Sequence, residues 1–196
     1  MWEISGRRAE LVVALGYYLR GSRCSKGVDL GYNAVNAAFL LDILAAHDER
    51  TALRATVRDD SAAPRRQQAA DLRRGVVEQH RSAAEAALRS PRIEDWWLLA
   101  TVAEAVFGLG DHQGARTLLR AARLLPDLPD WQLESTARQL TRLSQLQSTP
   151  DGAGAAVVAE LVGCEVQQIE TMAGRVGLAL SGGGFRASFF LSLIHI

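Results

Sequence analysis

Apolar residues recur three and four positions apart through most of residues 1–147, and that spacing stacks them on one face of an α-helix. The pattern predicts a mainly α fold built from helical hairpins whose apolar seams pair with one another. Leu11, Leu15 and Tyr18 or Leu19 share a face. Across residues 34–46 the apolar character runs almost all round, broken by Asn36 and Asp42, which predicts a helix buried between others. Residues 47–66 are charged and carry Asp59, Asp60, Ser61 and Pro64, the composition of a loop or a frayed helix end. A long helix is expected over residues 67–88, with its seam at Ala69, Leu72, Val76, His80, Ala83 and Ala87.

Ser90-Pro91 then reads as an N-cap and first-turn proline. The following helix carries Trp96, Leu99, Val102, Ala103 and Val106 and is broken by Gly110-Asp111. A second carries Ala115, Leu118, Leu119 and Ala122, with Pro126 beyond it. A third is expected from Trp131, with Leu133, Ala137, Leu140 and Leu143 on one face. Residues 148–173 read as a linker rich in Ser, Pro, Gly and Ala, followed by a short helix from Val157 to about Met172; a strand is expected over residues 175–180.

Composition narrows the function classes. Basic and acidic side chains balance at 22 each, so no net field draws the chain to nucleic acid. Lys26 is the only lysine, a bias that reads as a GC-rich genome. Cys24 and Cys164 lie far apart and lack metal-ligand spacing, which fits a reducing compartment. The N-terminus shows no basic segment leading into an apolar core, and no apolar run is long enough to span a bilayer. The expectation is a cytoplasmic protein, with peripheral attachment to a membrane open to it and no transmembrane segment.

Residues 96–126 resemble one tetratricopeptide unit. The small or apolar positions of that motif fall on Ala103, Val106, Gly110, Ala115, Leu119 and Ala122. Small side chains on facing helices let the axes approach, and the Gly-Asp turn reverses the chain. Leu99 holds the usual tryptophan position, His112 the usual turn tyrosine, and the closing proline comes one residue early. Residues 27–41 resemble the helical TRAF-binding region of certain stress-activated kinase kinase kinases, which recurs in bacterial proteins. Together these resemblances imply an interaction module of stacked hairpins that meets an unidentified protein partner. His80, alone on an apolar seam, reads as a structural histidine. Arg65-Arg66 and Arg73-Arg74 lack interleaved aromatics and read as a solvated helix face.

The segment with the most chemistry is the run from Gly174 to Ser188, in which an apolar stretch enters Ser181-Gly182-Gly183-Gly184-Phe185-Arg186. Consecutive glycines bring backbone N–H groups close to a ligand, and a helix N-terminus behind them attracts negative charge. The segment resembles the start of the patatin-like phospholipase domain, which opens with a strand, Gly-Gly-Gly-x-Arg and a helix. The resemblance covers about residues 174–190. It implies the first strand, loop and helix of an α/β hydrolase that cleaves lipid acyl esters with a Ser–Asp dyad and no cofactor. Gly182, Gly183 and Gly184 would form its oxyanion hole, with Arg186 holding the loop. The family's Gly-x-Ser-x-Gly nucleophile elbow and its later aspartate do not occur in this sequence, so the chain is expected to turn over no ester.

Two other readings remain open. Gly182, Gly184 and Ala187 satisfy Gly-x-Gly-x-x-Ala, a dinucleotide-binding start that needs an acidic residue about twenty positions on. Ser181 could itself be a nucleophile on a relaxed elbow, although no His or Asp partner can be assigned to it. Residues 191–196, Leu-Ser-Leu-Ile-His-Ile, are what CTG TCT CTT ATA CAC ATC would encode, a string resembling a transposase adapter. They are set aside as non-native read-through, and Ser192 and His195 join no site. The expected division is a helical interaction region over 1–147, a linker and short helix over 148–173, and the opening of the hydrolase domain over 174–190. The helical region is expected to fold on its own when cut at Gln147.

Overall fold

The computed structural model describes residues 8–25, 28–58, 60–147 and 152–167. Among them are seven α-helices and no strand. They are α1 (Arg8–Ser25), α2 (Tyr32–Ala55), α3 (Ala62–Arg89), α4 (Trp96–Gly108), α5 (His112–Arg123), α6 (Asp130–Gln147) and α7 (Ala153–Val162), with a 3₁₀ turn at Ile93–Asp95. None of the described helices is long and apolar enough to cross a membrane.

α2 is the central element. Its middle, from Ala37 to Ala45, is buried on nearly every side, because α1, α3, α4 and α6 all pack against it. Its start is set by Asp29, whose carboxylate accepts from the N–H groups of Gly31 at 3.2 Å and Asn33 at 3.0 Å. Gly31 takes φ +81°, where a side chain would be strained and would also meet Val76 of α3. α4 and α5 form a tight hairpin through Gly110, at φ +87°. Asp111 caps α5 by accepting from the Gly114 N–H at 2.8 Å. Leu99, Ala103, Ala115, Leu119 and Ala122 are all buried across this hairpin.

The helices do not stack as an open series. α6 returns to pack on α2 and α4, and its Leu146 joins Leu11, Leu40, Ile43 and Leu44 in one apolar cluster. α7 then packs on both α5 and α6, adding Val157, Val158 and Leu161 to the main core around Trp96, Leu99, Phe107 and Leu140.

Four expectations change. Residues 47–66 are mostly helical, since α2 runs to Ala55 and α3 begins at Ala62. Some of their charges are paired across the helices, Asp48 with Arg8 at 2.8 Å and with Arg65 at 2.7 Å, and Pro64 falls in the first turn of α3, where its missing N–H costs nothing. The α3 seam runs through Ala84 in place of Ala83, which is exposed. Ser90 ends α3, and the start of the next turn is capped by Asp95, whose carboxylate accepts from the Arg92 N–H at 2.9 Å. Within the expected linker, α7 begins at Ala153 and stops at Val162, where Gly163 turns left-handed at φ +75°. The expected strand over 175–180 lies outside the described residues, as do 191–196.

Candidate interaction surface

The glycine segment, with Ser181, Gly182, Gly183, Gly184, Arg186 and Ala187, lies outside the described residues. Two other features of the helical region carry chemistry. One is a buried polar junction that fixes how the helices meet, and the other is an exposed aromatic pair.

The junction grows from Asp42, a carboxylate in the middle of the apolar α2. A charge there needs a partner, because burying it alone is prohibitively costly. Arg73 of α3 supplies it, with its guanidinium 2.7 Å from Asp42; the two residues are 3% and 4% exposed. Burial nonetheless pushes the Asp42 carboxyl upward, with Arg73 pulling it partly back. Arg73 also reaches the Gly108 carbonyl at the end of α4, at 3.5 Å. That carbonyl accepts in addition from the Gln147 side-chain amide of α6 at 2.7 Å.

Glu104 of α4 enters the same region and accepts from the Gln139 amide of α6 at 3.0 Å. Part of its surface still meets solvent, yet protein crowds the carboxyl as in the interior. That burial pushes it up to about 8, against the pull of Arg73. Four helices are thus held in register by one connected set of polar groups. The arginine pairs are accordingly no solvated face. Arg73 is buried, Arg65 pairs with Asp48, Arg66 pairs with Glu49 at 2.6 Å, and Arg74 alone of the four is mostly exposed. The physical reason is spacing: Arg66 and Arg73 are seven apart, on the side of α3 that meets α2. Asp42 inside an apolar run was the signal that a cation had to be near.

His80 is buried on the α3 seam as expected. His112 packs edge-on against Phe107, with ring centroids 4.8 Å apart, and so serves as an aromatic plug beside the α4–α5 turn. Cys24 and Cys164 are both free thiols.

The aromatic pair sits where α4 and α6 begin. Trp96 and Trp97 are adjacent, so a helix aims them about 100° apart; Trp96 anchors the core at 1% exposure while Trp97 turns outward at 36%. Trp131, in the first turn of α6, is also 36% exposed and leans on Trp97, with centroids 5.9 Å apart and planes at 46°. Ile93, one turn before Trp97, adds exposed apolar surface. The helical and loop positions flanking the two rings carry Glu94, Asp127, Asp130 and Glu134, the first three exposed. Arg92, the basic residue beside Ile93, is already paired with Asp95 at 3.4 Å. The result is an exposed apolar patch made by the two braced indoles and Ile93. Sequence reading placed Trp96 and Trp131 only at helix starts, although the Trp-Trp dipeptide indicates that one ring must face out.

α7 is fastened by charge as well as by packing. Arg116 lies 3.2 Å from the Glu160 carboxylate, Arg120 contacts the same group, and Arg123 donates to the Glu160 carbonyl. No protein-family model, curated protein or solved structure matches the chain.

Proposed function

We propose that the chain is a helical protein-interaction module that leads into the opening segment of a patatin-like lipid acyl hydrolase. The observation that carries the module half is the exposed tryptophan pair on a scaffold whose helices are otherwise locked together. Rigid elements bearing an exposed aromatic cluster are what binding surfaces are made of. The close-packed α4–α5 hairpin, with alanines at three of its buried contact positions, supports the tetratricopeptide-like reading. The hydrolase half rests on Gly182-Gly183-Gly184-Phe185-Arg186 following an apolar stretch. In it the backbone N–H groups around Gly183 and Gly184 would meet the oxyanion of a lipid ester, and a serine outside this sequence would attack it.

The test is the coding sequence downstream of Phe190 and the activity of the protein it completes. A Gly-x-Ser-x-Gly within several dozen residues and turnover of a lipid ester are expected. Gly183→Val should then lower kcat on the order of a hundredfold, as loss of one oxyanion donor does. Removing the helical region together with α7, residues 1–167, should leave turnover of a soluble short-chain ester intact. Tight dinucleotide binding without ester turnover would instead establish a non-enzymatic helical scaffold with a nucleotide or phosphate loop. The 196-residue chain alone should turn over no ester. Turnover that vanishes in Ser181→Ala would overturn that and make Ser181 the nucleophile.

A further inference from the structure

We infer that the outer face of α1 docks the chain on an anionic lipid surface. The inference rests in part on the lipid-hydrolase reading, whose esters lie in such a surface. Three observations on α1 itself carry it. First, residues 11–19 contain no charged side chain, although α1 packs chiefly on α2 and leaves its other side open. Leu11 and Leu15 turn inward, while Val12, Val13 and Tyr17 are 45%, 59% and 68% exposed. Second, Ala9, Val13, Gly16, Tyr17, Arg20 and Cys24 are all exposed and fall within about 100° of one another around the helix, so they form one continuous ridge. Third, every charged residue among the exposed positions of α1 is an arginine.

Arg8 is paired with Asp48, but Arg20 and Arg23 keep their charge. The Arg20 guanidinium lies over the Tyr17 ring, 5.9 Å from its centre, and Arg23 donates to the Leu19 carbonyl at 3.1 Å; neither contact neutralises a cation. The only carboxylate of α1, Glu10, is half-buried. Single exposed apolar side chains are ordinary on a protein surface. A ridge of them ended by arginines is what an interfacial helix presents to a bilayer. The valines enter the acyl boundary, and the tyrosine ring sits at headgroup depth with its hydroxyl in water. The arginine stems run along apolar surface while their heads meet lipid phosphates. A protein partner draws its affinity from large anchors seated in pockets. A convex ridge of Val, Gly and Tyr offers no pocket, whereas a fluid surface needs none. No described helix can span a bilayer, so α1 lies on the surface and does not cross it.

The experiment is flotation of the full chain with vesicles of ether-linked phosphatidylcholine, with and without about a third ether-linked phosphatidylglycerol. Ether lipids carry no acyl ester, so binding is read without turnover. The chain should float with the anionic vesicles, and raising salt from about 50 to 500 mM should weaken binding severalfold. Val13→Ser with Tyr17→Ser removes apolar area and keeps every charge; it should weaken binding at least about tenfold. Arg20→Gln and Arg23→Gln should each weaken binding to anionic vesicles about fivefold, the worth of one cation near such a surface. All of these positions are exposed, so thermal melts of the variants should match the wild type. Val13→Asp alone serves if the double serine variant melts early.

A chain that stays at the bottom of the gradient with anionic vesicles would overturn the inference. So would unchanged vesicle binding in the double serine variant. Binding to soluble polyglutamate as tight as to the anionic vesicles would give the face to an acidic protein partner instead. A concentration-dependent dimer that Val13→Asp dissolves would mean that a second copy covers the ridge. None of these outcomes touches the downstream sequence or the ester kinetics on which the hydrolase reading stands.

Discussion

Asp42 and Arg73 show how one buried ion pair can dictate a neighbourhood. Each is nearly inaccessible, so removing either leaves an uncompensated charge inside the protein. Asp42→Ala is expected to destabilise the fold by about 3–5 kcal/mol, measured by urea unfolding. The double change Asp42→Leu with Arg73→Met should recover most of that loss, since an apolar pair of similar volume removes both desolvation penalties. A double variant no better than Asp42→Ala would mean that the bond from Arg73 to the Gly108 carbonyl matters more than the pair. Glu104 makes a separate prediction in pH. Its folded carboxyl is raised to about 8 from an ordinary value of 4.5. Between those values the folded state binds the proton and the unfolded state has released it, so stability falls as pH rises through that window. Asp42 shifts in the same direction. Asp48 shifts in the opposite one, held low by the hydrogen bond from Arg8, and its contribution is lost only on acidification below the ordinary carboxylate range. Denaturation between pH 5 and 8 should therefore show declining stability in the wild type and a flatter profile in Glu104→Gln. Equal slopes in the two proteins would refute the assignment.

At the scale of elements, two glycines in helices should respond to the same substitution with opposite signs. Gly75 lies mid-helix in α3, and a Cβ there would meet nothing within 4 Å. Gly75→Ala should stabilise by up to about 1 kcal/mol through helix propensity alone. At Gly108, the last residue of α4, a Cβ would run into the Arg73 guanidinium, which is pinned by Asp42. Gly108→Ala should destabilise by about 1–3 kcal/mol despite its better propensity. Thermal melts of both variants test the pair, and a stabilised Gly108→Ala would mean that Arg73 can move aside. Most of the helices were legible in the sequence because periods of three and four survive wherever one face is buried, as at Leu140 and Leu143 or Leu118, Leu119 and Ala122. The charged segment over 47–66 was not, because its helical turns are held by cross-helix pairs such as Asp48 with Arg8 and Arg65, and such partners are far away in sequence. Start signals misled where the cap came from downstream: Asp95, three residues beyond Arg92, does what Ser90 was expected to do. The tryptophan platform was only half legible. Adjacency shows that one ring of Trp96-Trp97 faces out, but nothing local brings Trp131, thirty-four residues later, against it.

At the scale of the whole molecule, α7 alters the expectation that the helical region is self-sufficient at Gln147. Val157 and Val158 are fully buried, Gly154 lies so close to Ser144 and Phe107 that a side chain would not fit, and three arginines of α5 hold Glu160. A chain ending at Gln147 should stay helical by circular dichroism but lose stability relative to one ending at Gln167. Uncovering several core side chains costs roughly 1.5–3 kcal/mol each. Equal melting temperatures for the two lengths would show that α7 is merely laid on the surface. A different consequence follows from Leu146 resting on Leu40 and Leu44, about a hundred residues upstream. An array in which each unit meets only its neighbours can lengthen or shorten by whole units, and evolution exploits that freedom. A chain that comes back to its own second helix has a fixed census: an additional hairpin between α3 and α4 would lift α6 off α2 and break the circuit. Length changes should be tolerated only at turns on the rim, such as the α2–α3 connection, so this architecture can diversify in its edges and not in its number.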